Sequence, residues 1–205
     1  MPTLYYAAGA CSLAPHIVLE WIGAPYEAVK VNMGSPELRG VNPAGAVPVL
    51  REDDGWLLTQ ASAILDYLAQ KHPEAGLSGG DTLRAKAEAH RWSSFLGSDL
   101  HAAFGPIFVA PRYTADASDE ARAKVVEAGK ALAAQRLAIL DQHLEGRDWI
   151  LEGRSVIDAY AFPMIRWSAM MLDPSLAAYP NVKRLHDTLA ADPAVQRVLA
   201  REAGQ

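Results

Sequence analysis

The stretch NPAGAVPVLREDDGWLLTQASAI, residues 42–64, contains two short apolar segments around a turn and then leads into a helix. Residues 47–50 and 56–58 are typical of strands, and the acidic pair and glycine at residues 53–55 are typical of a hairpin turn. Residues 61–72 carry apolar side chains at helical spacing, and a proline ends the pattern. The sequence therefore predicts an antiparallel hairpin followed directly by a helix.

The residues before this stretch predict a strand–helix–strand unit. Residues 3–6 and 26–31 favour strands, whereas residues 12–22 have apolar side chains at helical spacing. Two such strands pair in parallel around a right-handed crossover. Gly, Pro, Asn and Ser are concentrated in residues 32–45, so we expect a loop there. Together with the hairpin, this order predicts an α/β domain with a mixed sheet and flanking helices.

The rest of the chain predicts helices only. We expect a sheet domain at residues 1–77, a linker at residues 78–83 and an all-helical domain at residues 84–205. Within the helical domain, Ser155 and Asp158 are similar to a capping box, with Asp in place of the usual Glu. The predicted helical segments are, in order, residues 83–113 with a break at Gly105-Pro106, residues 118–144, residues 155–172 and two shorter helices near residues 182–189 and 195–199.

The composition indicates a globular chain that handles small molecules. Of 205 residues, half are hydrophobic and 21% are charged, which is enough apolar surface for a buried core. The net charge of −5 argues against nucleic acid or an anionic membrane as the partner. No apolar run reaches the ~18 residues of a membrane span. The first residues lack the basic segment of a signal peptide, so we expect a cytoplasmic protein.

The chain contains one cysteine, Cys11, and six histidines. A single cysteine excludes an internal disulfide and a cysteine-rich zinc site. His90 and His101 share a face of one predicted helix, but at 1.5 Å per residue they lie about 16 Å apart, too far to bind one metal ion. We therefore expect no metal site. The sequence also lacks a P-loop, a dinucleotide-binding glycine pattern and a GxSxG motif.

Cys11 follows a strand and a glycine and comes immediately before a helix. The free N–H groups and the dipole of a helix N-terminus stabilise an anion and can lower the pKa of a thiol. One interpretation is therefore a thiolate that attacks a substrate or forms a mixed disulfide. The alternative is a buried, inert cysteine or a helix cap, and position alone favours this alternative.

Two further features lie within residues 42–64. A cis bond before Pro48 would turn the backbone of Val47 towards a ligand, but spacing alone predicts an ordinary trans proline, because most X–Pro bonds are trans. Gln60 and Ser62 lie at the start of a helix, where they could hold a carboxylate and an ammonium group. The alternative for these residues is plain helix capping.

Taken together, residues 9–14, 42–50 and 58–64 resemble the corresponding motifs of the cytosolic glutathione S-transferases. The cysteine that follows Gly-Ala is similar to that of the bacterial beta class. Residues 92–108 resemble the first long helix of the second domain in that class, and residues 155–160 resemble the family's capping box. The resemblance covers nearly the whole chain.

This resemblance implies a thioredoxin-like N-terminal domain, an all-helical C-terminal domain and a homodimer with the active site between domains. It also implies glutathione as co-substrate and a cis peptide bond before Pro48. By resemblance, the catalytic residues are Cys11 and His101, and the glutathione-binding residues are Ala10, Val47, Pro48, Gln60, Ala61 and Ser62. The candidate pocket for the second substrate is lined by Tyr6, Phe104, Phe108, Tyr113 and Trp167, for which core packing is the alternative.

Three departures from the family pattern affect the expected glutathione site. Ala61 supplies no hydroxyl where the family usually has Ser or Gly, and Ser62 lies one residue too late to replace it. The loop at residues 32–45 is shorter than is usual in the beta class. The basic residue that helps to bind glutathione has no clear counterpart, since Lys30 lies in a strand and Arg39 corresponds only loosely. We therefore expect weaker binding of glutathione than is usual in the family.

The implied activity is conjugation of the glutathione thiol with a small electrophile, or exchange of that thiol with Cys11. Alternatives on the same fold are a glutathione-dependent thiol reductase, an isomerase or a dehalogenase. A further alternative is a fold member without catalytic activity that acts in protein interaction. The electrophile itself is not encoded in a readable motif, because side chains of several helices would form its pocket.

Overall fold

The structure, a computed structural model, describes residues 1–204. A four-stranded sheet domain is followed by a helical domain, so the predicted fold class is confirmed. The strands are β1 (Thr3–Tyr6), β2 (Glu27–Lys30), β3 (Val49–Arg51) and β4 (Leu57–Thr59). The helices are α1 (Leu13–Ile22), α2 (Pro36–Val41), α3 (Ala61–Lys71), α4 (Leu83–Ser94), α5 (Gly105–Phe108), α6 (Asp119–His143), α7 (Val156–Met171), α8 (Pro180–Ala191) and α9 (Pro193–Ala203).

The strands are arranged in the order β2-β1-β3-β4. β1 pairs with β2 in parallel, with Leu4 opposite Ala28, and it pairs with β3 in the antiparallel sense, with Leu4 opposite Leu50. β3 and β4 form the antiparallel hairpin. The predicted parallel unit and the predicted hairpin are therefore both confirmed.

The two faces of the sheet carry different apolar clusters because side chains alternate along a strand. Leu4 and Tyr6 belong to the large core that also contains buried residues of α1, α3 and α7. Tyr5 and Val49 belong to a smaller cluster with Leu38 of α2. The two tyrosines of β1 therefore lie on opposite faces, and α2 covers the outer one.

The prediction of a loop throughout residues 32–45 is wrong, since α2 lies within it. Ser35 caps this helix by accepting a hydrogen bond from the Leu38 N–H, and Pro36 occupies the first turn, where its missing N–H does no harm. Leu38 is fully buried against the sheet. In the described part of the chain, Leu38 and the partly buried Val41 are the only apolar contacts of this six-residue helix with the cluster, too few to form a readable helical period.

The predicted segment 83–113 is divided into several elements. α4 ends at Ser94 and continues as a π-helical segment, Phe95–His101, which contains one more residue per turn than the spacing suggested. A new helix, α5, begins at Gly105 with proline in its first turn, so the predicted break at this point is confirmed. The π-helical segment sets the direction in which its last residue faces.

α7 forms the centre of the molecule. The predicted capping box is confirmed: the Ser155 hydroxyl accepts from a first-turn N–H, and the Asp158 carboxylate accepts from the Ser155 N–H at 2.8 Å. α7 packs against α1 and α3 of the sheet domain and against the neighbouring helices of its own domain. Apolar side chains of both domains therefore meet in one core. Among residues 1–204, no helix is long and apolar enough to cross a membrane.

Candidate active site

A cleft of about 630 Å³ lies between α3 of the sheet domain and the helical domain. From the sheet domain, Gln60 and Ser62 line it, and from the helical domain, His101 and Tyr160 line it. The structure thus brings together three of the residues predicted from the sequence, Gln60, Ser62 and His101, at one interdomain cavity.

Gln60 adopts an unusual backbone conformation at the start of α3. Its φ of 72° is the only positive value at a residue other than glycine within the described part of the chain. Such a conformation costs on the order of 1–3 kcal/mol for a residue with a Cβ. Its side chain does not cap α3, and the first N–H to bond to its carbonyl is that of Ile64. The N–H groups of Ala61 and Ser62 are therefore left free for an anion.

The peptide bond between Val47 and Pro48 is cis. This confirms what the family resemblance implied, whereas the trans bond expected from spacing alone is wrong. The Val47 N–H has no acceptor among residues 1–204, and the Val47 carbonyl accepts the Cys11 thiol at 3.5 Å. The Val47 carbonyl thus faces the turn that carries Cys11, and the Val47 N–H is left without a protein acceptor in the described part of the chain.

Cys11 is a free thiol at the turn that leads into α1. Burial raises its pKa to about 11, and the N–H groups of Cys11 and Ser12 oppose this shift only in part. The next two N–H groups, of Leu13 and Ala14, are already bonded to carbonyls of the same turn. Burial therefore favours the protonated thiol over a ready-made thiolate, and a catalytic role of Cys11 stays a prediction.

Two hydrogen bonds with the helical domain fix the position of the turn that carries Cys11. The Trp167 indole N–H donates to the Gly9 carbonyl at 2.9 Å, and the Gly9 N–H donates to the Glu202 carboxylate at 2.9 Å. The Ser12 hydroxyl also bonds to both backbone groups of Ala7. The position of Cys11 is consequently fixed by residues far along the sequence.

His101 is the last residue of the π-helical segment. Its ring lies 5.2 Å from that of Trp167, and burial lowers the pKa of His101. The imidazole is therefore neutral at pH 7. Neither ring nitrogen has a hydrogen-bond partner among the described residues, so the ring is free to accept a proton from a molecule in the cleft.

The five predicted pocket aromatics lie outside the lining of this cleft. Tyr6 and Phe104 are core residues, with the Tyr6 ring 4.9 Å from that of His16. Trp167 is buried and stacks edge-on with Phe108, which is 45% exposed. Tyr113 is 53% exposed. Phe108 and Tyr113 therefore expose aromatic surface, while the other three pack in the interior.

Sequence reasoning missed Tyr160 as a cleft residue. The sequence places Tyr160 only at the end of the motif that is similar to a capping box, yet the residue lines the cavity and its hydroxyl is not enclosed by protein. A signal was available: a buried tyrosine in an apolar helix needs a partner for its hydroxyl. Ala10 and Ala61 carry no polar side chain, so they can contribute only backbone groups.

Comparison with known proteins identifies relatives over the whole chain. Residues 6–76 match the family model "Glutathione S-transferase, N-terminal domain", and residues 99–193 match "Glutathione S-transferase, C-terminal domain". The glutathione S-transferase GST-4.5 of Xanthomonas campestris is 38% identical over 203 residues, which is 97% of this chain and 98% of that protein.

Solved structures of bacterial glutathione S-transferases are also similar to this chain over nearly its whole length. A sphingomonad glutathione S-transferase complexed with glutathione has a TM-score of 0.85 and is 37% identical, with 98% of each chain covered. A bacterial beta-class glutathione S-transferase of Sphingomonas chungbukensis has a TM-score of 0.84 and is 37% identical, with the same coverage.

Proposed function

Since the chain belongs to the glutathione S-transferase family, and resembles its bacterial beta class, we propose that it joins the glutathione thiol to small electrophiles. The observation that carries this proposal is the cleft that Gln60 and Ser62 line from one domain and His101 lines from the other. A tripeptide thiol needs groups of both kinds: hydrogen-bond donors for its carboxylates and a base near its sulfur.

The free N–H groups at the start of α3 and the backbone of Val47 determine the orientation that we propose for glutathione. We place its γ-glutamyl carboxylate at the start of α3, where the Ala61 and Ser62 N–H groups are unpaired. Its cysteinyl amide then pairs with the N–H and carbonyl of Val47, as one strand pairs with another. This arrangement displaces the Cys11 thiol from the Val47 carbonyl and leaves it beside the glutathione sulfur.

The chemistry follows from the protonation states. His101, neutral at pH 7, takes the proton of the glutathione thiol. The sulfur lone pair then forms a bond to an electrophilic carbon, and the leaving group departs with its own bonding pair. The exposed aromatic rings of Phe108 and Tyr113 offer a surface for an apolar electrophile. Thiol exchange at Cys11 is the second candidate, but its raised pKa disfavours it.

We also propose a cytoplasmic homodimer. Leu132 and Ile139 lie seven residues apart on one face of α6 and are both partly exposed, and Trp56 and Leu57 are exposed at the edge strand β4. Exposed apolar side chains on each domain favour association with a second copy. The free cysteine fits a reducing compartment.

Calorimetric titration with glutathione, together with turnover of chlorodinitrobenzene, tests the function. We expect binding and a product with the mass of the glutathione conjugate, and Gln60→Ala should weaken binding about 10-fold. Gln135→Ala, at an exposed position of α6 that does not line the cleft, is the matched control and should change nothing. If the wild-type chain neither binds glutathione nor forms conjugate, the proposal fails and a role in protein interaction is favoured.

A further inference from the structure

Tyr160 has a polar atom that the fold does not use. The side chain is 4% exposed and its ring belongs to the main core, but the residue lines the cleft. Its hydroxyl makes no hydrogen bond to any residue from 1 to 204. Buried tyrosines normally find a partner for this group, because an unpaired hydroxyl costs free energy. The Tyr160 oxygen is not one of the fully enclosed polar atoms that lack a partner, so it is open to the cleft, where a bound molecule can pair with it.

Two neighbours define where the hydroxyl lies. A Cβ atom built on Gly97 would fall 2.9 Å from the Tyr160 oxygen, so the oxygen lies directly against the π-helical segment that also carries His101. Tyr160 is also close enough to Cys11 for a charge on that sulfur to raise the pKa of the phenol. The hydroxyl thus lies beside the wall of the cleft that Gly97 and His101 line, on the side towards Cys11, which is not itself a lining residue.

The phenol is a donor under working conditions. Burial is the larger cause that raises the pKa of Tyr160, to about 12, so it keeps its proton at neutral pH. The side chain has two rotatable bonds and a ring fixed in the core, which leaves its O–H preoriented. A fixed donor aimed at an atom that becomes negative is the arrangement that stabilises such a charge most.

We propose that the Tyr160 hydroxyl is a further catalytic group of this site, a hydrogen-bond donor to the glutathione sulfur as that atom loses its proton. The proposal rests on the function proposed above. In the step concerned, His101 accepts the thiol proton and the sulfur keeps the electron pair. Tyr160 donates a hydrogen bond to that sulfur without transferring its own proton. The sulfur pair then forms the bond to carbon, and the leaving group departs with its pair.

This assignment also gives Gly97 a reason to lack a side chain. A Cβ at this position would lie 2.9 Å from the phenol oxygen, which is too close for the oxygen to keep its place. The π-helical segment therefore contributes His101 as the base and, through Gly97, the space for the donor. The two groups reach the sulfur from different helices, so their roles can be separated by substitution.

The test compares Tyr160→Phe with Tyr179→Phe. Both variants lose one hydroxyl, but that of Tyr179 donates to the Ala134 carbonyl and does not line the cleft. Two quantities are measured: the pKa of the bound glutathione thiol, from the ultraviolet absorbance of the thiolate, and kcat/KM for chlorodinitrobenzene over a range of pH.

For Tyr160→Phe we expect a thiol pKa about one unit higher and kcat/KM about 10- to 100-fold lower, with glutathione affinity and Tm nearly unchanged. Tyr179→Phe should keep the wild-type thiol pKa and turnover. Gly97→Ala, which displaces the hydroxyl without removing it, should raise the thiol pKa in the same direction. This second variant keeps the test decisive if Tyr160→Phe folds poorly.

The outcomes separate the two proposals. If wild-type protein binds and conjugates glutathione but Tyr160→Phe has the same thiol pKa and kcat/KM, the role of Tyr160 is refuted and the function stands. If Tyr160→Phe changes affinity or Tm alone, the hydroxyl has only a structural role, and the proposal is again refuted. If the wild type forms no bound thiolate, the function fails and takes the role of Tyr160 with it.

Discussion

Gln60 occupies a backbone conformation that suits glycine better. The left-handed φ of 72° brings its Cβ close to its own backbone, at a cost on the order of 1–3 kcal/mol. The side chain has no protein partner that would offset this cost. Because Gln60 lines the cleft, we expect its strained conformation to serve the binding of a ligand there.

Gln60→Gly should therefore raise the free energy of unfolding by about 1 kcal/mol, because glycine adopts positive φ without strain. The same variant should lose glutathione affinity, since the amide is gone. Gln60→Ala is the control that keeps the strain and removes the amide. Urea unfolding and calorimetric titration of both variants check this. The explanation by strain is refuted if Gln60→Gly is no more stable than Gln60→Ala.

Cys11 should react slowly with iodoacetamide while the chain is folded. Its pKa of about 11 lies two units above the ordinary value of 9.0, so the thiolate fraction near neutral pH is roughly 100-fold lower than in the unfolded chain. The folded protein's rate should continue to rise tenfold per pH unit up to about pH 10. If it levels off near the pKa of an unfolded cysteine, access and not ionisation limits the reaction.

At the scale of single elements, the capping box of α7 is the best-defined polar site. The Asp158 carboxylate is fully buried and accepts from the N–H groups of Ile150 and Ser155. Desolvation outweighs these hydrogen bonds and raises the pKa of Asp158 to about 6. The folded state therefore binds this proton more tightly than the unfolded chain, in which the pKa is about 3.9.

The raised pKa of Asp158 determines how the stability of the protein changes with pH. The stabilisation from protonating Asp158 is complete below about pH 4 and is lost as the pH rises through about 6. Compared with Asp158→Asn, which does not titrate, wild-type protein should lose about 3 kcal/mol of stability between these limits. Urea unfolding of both proteins across this range measures the difference. A difference that is independent of pH would contradict the raised pKa.

The elements that sequence reasoning identified are those with a repeating apolar pattern. The β1–α1–β2 unit, the β3–β4 hairpin and the long helices all bury every second, third or fourth residue, so their periods were readable. α2 has one fully buried residue, Leu38, with Val41 packed beside it, and two apolar residues are too few to show a period. The π-helical segment cannot be told from an α-helix by its apolar residues. The difference in spacing between the two helix types is smaller than the variation in apolar spacing among α-helices.

The site was predicted less completely than the fold, for a physical reason. Gln60, Ser62 and His101 belong to local motifs, and the cleft contains them. The ionisation of Cys11 depends on what covers it, and the partner of the Tyr160 hydroxyl depends on what faces it across the domain boundary. Both are set by contacts between distant segments, which no local pattern encodes.

On the scale of the whole molecule, the C-terminal helix ties the helical domain to the turn before Cys11. Glu202 of α9 is buried, and its two carboxylate oxygens accept from two different donors of the sheet domain. His16 donates from Nδ1 at 3.0 Å, and Gly9 donates from its backbone N–H at 2.9 Å. Both donors are thereby satisfied by a residue near the end of the chain.

Glu202→Gln tests how strongly this contact couples the domains. A glutamine side chain has one acceptor oxygen. Either the Gly9 N–H faces an amide NH₂ and remains unpaired, or His16 accepts from the amide at Nδ1 and carries its proton on Nε2, which is buried and has no partner among the described residues. An unpaired buried donor costs about 1–3 kcal/mol. We expect the free energy of unfolding to fall by about 2 kcal/mol, whereas Glu127→Gln, at an exposed pair with Lys130, should change it by less than about 0.5 kcal/mol.

The same variant should report on the active site, because the Gly9 N–H belongs to the turn that positions Cys11. One core spans both domains, so circular dichroism and tryptophan fluorescence should still follow a single unfolding transition at a lower urea concentration. Turnover of chlorodinitrobenzene should fall in native conditions as well, since a displaced turn disturbs the Val47 backbone that is proposed to hold glutathione near His101. Two separate transitions, or a loss of stability with unchanged turnover, would show that Glu202 stabilises the helical domain without coupling it to the site.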